Sequence, residues 1–375
     1  MVTEHSFTSS IRKILTSFFG NDAEAILEGS ILIQYLNEKT KSANRGSKAR
    51  GSFANLYAIY VVVEDYIKHN YHKAKKGSYS DYEGAIFSYL FRRQRELPFG
   101  AKLQNHSLNN RTNSEFQKFF PTANLIPIIR NHETNRYWVN DNLLWIDLNK
   151  KNYNIAEAVI SIIDEYAKTK QDSFVRFIEQ CEKMQTIEGE DGSEVKNFIL
   201  SLLAPNVDAR LFEIVSYSIL KFYYIEQTIY WGYELESIVS ENLKLYKTGR
   251  TNANDGGIDF VMKPLGRFYQ VTESLDFKKY FLDIEKIEKY PITFVIKSTE
   301  SLSEIREKLE ADALKTYPVR AIVNKYLDCI EEIINISTLV EYLQTVERNG
   351  LLIKVLEEII LQSKVEFNYS EEDEE

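Results

Sequence analysis

The chain is 375 residues long, 44% of them hydrophobic, with a formal net charge of -9. That is enough apolar material for two domains, each with its own core. Its two cysteines, Cys181 and Cys329, lie far apart, which excludes a disulfide framework and suits a reducing compartment. No apolar run approaches the roughly 20 residues of a membrane span, and Met1 to His5 lack the basic-then-apolar character of a signal peptide. The expected setting is therefore soluble and cytoplasmic, with no membrane partner.

Residues 1 to about 120 read mainly as helices with basic connectors. Between Lys39 and Lys118 there are fifteen Lys and Arg against six Asp and Glu, a balance of +9 that leaves -18 on the rest of the chain. A polyanion would be drawn to this third of the molecule. Within it, residues 39 to 52 form a basic, small-residue segment, where Lys41, Lys48 and Arg50 suit phosphates and Asn44 and Arg45 suit base edges. A plain exposed loop is the competing reading of this segment. Phe53 to Ile67 is apolar and aromatic and predicts a buried helix. Arg92, Arg93 and Arg95, and the Asn- and Arg-rich run 105 to 113, are further candidate DNA contacts. The histidines lack the cysteine pairing of a zinc site.

Short strands are expected over Leu125–Arg130 and Tyr137–Leu148, then a helix over Ile155–Lys183. The acidic loop Glu188–Ser193 reads as a linker, which divides the chain into 1–190 and 191–375. Next comes a helix beginning after Asp208, whose side chain suits an N-cap; its apolar residues at 211, 212, 214, 215, 219 and 220 follow helical spacing. A strand near Thr228–Gly232 follows. Asn254-Asp255-Gly256-Gly257-Ile258-Asp259 then delivers Asp259 to the start of an apolar strand, and Gly266 to Glu273 returns as a second strand carrying Gln270, Thr272 and Glu273. Beyond lie a helix over Phe277–Lys289, a strand over Ile292–Lys297, a helix over Leu302–Thr316, a short strand over Arg320–Asn324, and helices from Leu327. The five acidic residues from Glu371 form a solvated tail. The sum is an α/β (α+β) chain with a mixed central sheet flanked by helices.

An Asp anchored on a strand beside polar groups of its partner is how oxygen ligands are presented to a divalent cation. The run Asp-Gly-Gly-Ile-Asp, followed by aromatic-Gln, resembles the PD-(D/E)XK nuclease superfamily, in its Mrr-like branch. With the helix carrying Phe212-Glu213 ahead of it, the arrangement looks like a type II restriction endonuclease. The resemblance spans roughly residues 207 to 275.

It implies Mg²⁺ held by Asp259, Glu213 and the amide oxygen of Gln270, and hydrolysis of phosphodiester bonds in double-stranded DNA. Glu236 is the alternative helix-side carboxylate. Thr272 stands where the family pattern has lysine. Strand alternation puts Lys263 on the Asp259 face, and Lys247 precedes the turn, so either is placed to substitute. The same alternation puts Glu273 opposite Gln270 unless a bulge intervenes. Cutting both strands with one such site per chain implies a homodimer. Two other classes compete: a DNA-binding or sensing protein with a degenerate nuclease fold, favoured by the missing lysine, and an interaction protein that docks through its aromatic helices.

Overall fold

A computed structural model describes residues 2–43, 49–74, 77–101, 103–148, 150–186, 192–248, 258–273 and 275–367. The chain is α+β and divides into two compact units, 1–177 and 178–375. The division falls inside a helix rather than at the acidic loop read as a linker, of which 188–191 lie outside the described residues.

The first unit begins with helices α1 (Thr8–Phe19), α2 (Ala23–Gly29), α3 (Ile31–Thr40) and α4 (Ala49–Lys68). Residues 53 to 63 of α4 are all buried, as expected of a helix that is apolar on every side and so must be surrounded. Strand β1 (Ala85–Ile86) and helices α5 (Phe87–Glu96) and α6 (Thr112–Phe119) follow. Then come β2 (Ile128–Asn131) and β3 (Arg136–Val139), which join β1 in an antiparallel sheet ordered β1-β3-β2. The hairpin β4 (Trp145–Leu148) and β5 (Lys151–Asn154) leads into α7 (Ala156–Gln185). Within this core Asn55 donates to Glu115 at 2.8 Å and accepts from Thr112 at 3.1 Å.

The second unit holds α8 (Ser193–Ser201), α9 (Ala209–Tyr224) and an antiparallel ribbon, β6 (Thr228–Trp231) with β7 (Val239–Asn242). Next are β8 (Lys244–Lys247), β9 (Phe260–Lys263), β10 (Arg267–Thr272), α10 (Phe277–Lys286), β11 (Ile292–Ile296), α11 (Leu302–Thr316), α12 (Arg320–Leu327), β12 (Ile330–Ile334), α13 (Ile336–Arg348) and α14 (Leu352–Phe367). The central sheet runs β12-β11-β10-β9-β8. It is antiparallel from β8 to β10 and parallel from β10 to β12. All five residues of β11 are buried, the pattern of a strand covered on both faces.

Asp208 caps α9 through its side chain, which accepts from Arg210 N at 2.7 Å and Leu211 N at 3.2 Å. One side of α9 lies on the sheet, where the Tyr217 hydroxyl donates to Leu245 O and its ring meets Phe260 at 5.2 Å. Lys221 binds Glu358 of α14 at 2.7 Å on another side. The opposite face of the sheet carries Phe268, Phe294 and Ile296 against Tyr280 and Phe281 of α10 and Ile305 and Leu309 of α11.

Two expectations near the C-terminus are corrected. Arg320–Asn324 is helical, because α12 turns Val323 into the core and stacks Tyr326 on Phe281 at 4.2 Å, an i, i+3 pair that only a helix aligns. The stretch after Leu327 is a strand before it is helix: Ile333 and Ile334 are buried in β12, which extends the parallel side of the sheet.

Candidate active site

Asp259 sits immediately before β9, at the end of the β9–β10 ladder. Phe260 is the register partner of Tyr269, yet the Asp259 N–H also reaches Tyr269 O, at 2.9 Å. Two residues thus face one, the geometry of a β-bulge, which re-aims the extra side chain. The parity of the strand is shifted, and Asp259 joins the face of Phe260 and Met262, the side covered by α9. Its Oδ2 accepts from Val271 N at 2.8 Å, closing the ladder. Thr248 pins the other side: its N–H donates to Asp259 O at 2.9 Å, and its hydroxyl contacts Ile258 O. Thr248 is thereby joined to Ile258 and Asp259, and residues 249–257, with the Gly-Gly pair, lie outside the described residues.

From α9, Glu213 enters the same space, with its side chain 10% exposed. Lys247 of β8 places Nζ 3.6 Å from Glu213 Oε1, and Arg210 contacts Oε2. Burial and the charge of Glu213 push the Asp259 carboxyl up to about 7, opposed by the Val271 N–H, Arg210 and Lys247. Two carboxylates held near each other away from water are the arrangement that a divalent cation relieves.

The bulge decides which sequence candidates meet. Lys263 does not reach this site: it lies at the far end of β9, on the other face, with a side chain 62% exposed and Nζ 3.7 Å from Glu241. Lys247 is the lysine beside the carboxylates. Gln270 and Thr272 alternate onto the face of Phe268, away from α9. There the Lys279 ammonium of α10 donates to Thr272 Oγ1 at 3.1 Å. Gln270 is buried, and its Oε1 has no hydrogen-bond partner among the described residues. Glu236 is exposed on the connection of the β6–β7 ribbon.

Glu273 falls on the α9 face instead, 2.8 Å from Lys297 Nζ; that ammonium also contacts Val207 O and lies 6.0 Å over the Phe212 ring. Lys297 escaped notice in the sequence, where its one signal is a charge ending the apolar run Ile292–Ile296. Among the described residues no group of three or more His, Cys, Asp or Glu is arranged to hold a metal. Asp259 and Glu213 remain as a carboxylate pair, which suffices for a small hard cation that takes further oxygens from substrate phosphate and water.

In the basic segment, Lys41 is paired with Glu38 and Lys39 with Glu115. Asn44, Arg45, Lys48 and the side chain of Arg50 lie outside the described residues. Arg93 is bound to Glu64 at 2.9 Å, whereas Arg92 is 71% exposed with Glu96 at 4.0 Å. Among the described residues no helix is long and apolar enough to cross a membrane. No family model, curated protein or solved structure matches the chain.

Proposed function

We propose that the protein is a Mg²⁺-dependent endonuclease of the PD-(D/E)XK type that hydrolyses double-stranded DNA at a specific sequence, in the manner of a type II restriction endonuclease. The observation that carries this reading is the meeting of Asp259 with Glu213 and Lys247 on one face of a mixed sheet, with Asp259 delivered by a bulge at the strand end. Mg²⁺ bound there would supply Lewis-acid neutralisation of charge at the scissile phosphate.

Asp259 and Glu213 would hold the cation. The Val271 N–H fixes one Asp259 oxygen and leaves the other to face the site. Lys247 would set an ammonium beside the carboxylates, the role for which the family uses the position of Thr272. The buried ammonium of Lys297, paired with the exposed Glu273, would add a second fixed charge on the same face. Gln270 would join as a ligand only by swinging its unpartnered amide oxygen past the strand, so its part is secondary. DNA would be engaged by the cationic N-terminal third, and a two-fold homodimer would bring two sites to the two strands.

A second reading keeps the fold without the chemistry: a DNA-binding protein. Thr272, with its hydroxyl tied to Lys279, is the observation in its favour. Incubating the purified protein with phage DNA and Mg²⁺ separates the two. Discrete fragments that EDTA abolishes support the endonuclease; a mobility shift without cutting supports the binder.

A further inference from the structure

Arg210 stands one turn ahead of Glu213 on α9 and reaches two carboxylates at once. Its Nη1 contacts Glu213 Oε2, and its Nε lies 3.3 Å from Glu366 Oε1 in the last turn of α14. The Glu366 side chain is only 8% exposed. An acidic group so placed is costly to leave unpaired. Lys247 lies against the other oxygen of Glu213. Both oxygens of Glu213 thus face cations of the chain, and the positive charge of Arg210 opposes the approach of a metal ion to that carboxylate. A guanidinium offers five N–H donors in a rigid fork, so Arg210 can release one carboxylate while holding another.

We propose that Arg210 gives up Glu213 while keeping Glu366, and that this exchange of partners controls divalent-cation loading at Asp259 and Glu213. The proposal rests on the reading of those two carboxylates as the metal holders. In the metal-free state Arg210 screens Glu213 from Asp259. On loading, its Nη1 contact gives way and Glu366 retains it, so that no buried charge is stranded. Glu366 touches neither metal nor substrate; it is a positioning residue that acts through Arg210.

Binding of Mn²⁺ alone to the full chain, without DNA, tests this through the paramagnetic resonance signal of the free ion. Arg210→Met should tighten binding several-fold. Glu366→Gln should weaken it about tenfold, the factor for loss of one charge-assisted hydrogen bond, while Glu366→Asp stays within about twofold of the parent. In the Arg210→Met background, Glu366→Gln should have no further effect. A tenfold loss that persists there would mean that Glu366 acts by bare charge and would overturn the exchange. Circular dichroism of each variant confirms that the fold is kept. Asp259→Ala separates the two levels of the argument. If it binds Mn²⁺ as the parent does, the metal site itself is wrong; if it loses Mn²⁺ while Glu366→Gln does not weaken binding, only the exchange is wrong.

Discussion

The ion pairs of the first unit and the charge cluster of the second are built differently. In the first, cations sit beside carboxylates at or near the surface: Arg12 bridges Glu4 and Glu24, Arg93 holds Glu64, and Lys39 meets Glu115. In the second, Glu213, Asp259, Lys247, Arg210 and Glu366 are drawn together at one end of a sheet, with two carboxylates close enough that one raises the proton affinity of the other. Pairing at the surface adds little to stability and threatens nothing. Gathering like charges away from water is unfavourable, and such clusters concentrate where chemistry is done. A regional count of +9 therefore overstates the cationic surface, and an acidic total of -9 hides the site that matters.

The sharpest break of this comparison is in the cluster itself. Glu213→Gln and Lys247→Ala should each slow Mg²⁺-dependent cleavage by on the order of a hundredfold in single-turnover assays. Lys263→Ala, four residues along β9 from Asp259 but on the wrong face, should stay within about twofold. Equal losses from Lys247→Ala and Lys263→Ala would dissolve the distinction that the bulge creates.

Next in size is the pH dependence of stability. The Asp259 carboxyl is raised from its ordinary 3.8 to about 7 in the folded protein. Its contribution is fully present below about pH 4 and is lost as pH rises through about 7, because the unfolded chain releases that proton first. Asp259→Asn should remove this loss and melt roughly 2–5 °C above the parent at pH 8 without divalent ions. Melting points that track each other from pH 5 to 8 would contradict the buried pair.

The first unit should answer more gently. Lys39→Ala breaks a half-buried pair with Glu115 and should cost about 1 kcal/mol by urea denaturation, with no change in cleavage at permissive temperature. Replacing Lys41, Arg45, Lys48 and Arg50 together with Ala should weaken DNA binding and lower its salt slope by up to about 4. An unchanged slope would remove the segment from the interface.

Much of the architecture was legible in the chain. The helical spacing after Asp208, the buried run 53–67 and the β9–β10 pair all declare themselves through apolar periodicity and a capping residue, since those signals are local. The site was legible in its residues but not in its geometry. Alternation alone put Asp259 with Lys263, and the bulge opposite Tyr269 reverses that, because register belongs to two strands and cannot be read from one. Lys297 and Glu366 were invisible for the same reason: each reaches the α9 end of the sheet from a distant segment. Arg320–Asn324 looked like a strand because β-branched residues are concentrated there, and packing of Val323 and Tyr326 overrode that preference.

Asp259→Ala tests the central claim most directly. Cleavage of phage DNA by the parent and by this variant should be compared in Mg²⁺ at matched protein concentration, with binding followed in parallel in Ca²⁺. The account predicts discrete fragments from the parent, no detectable cutting by Asp259→Ala, and retained DNA binding by both. Mg²⁺-dependent cutting by a folded Asp259→Ala protein would contradict it.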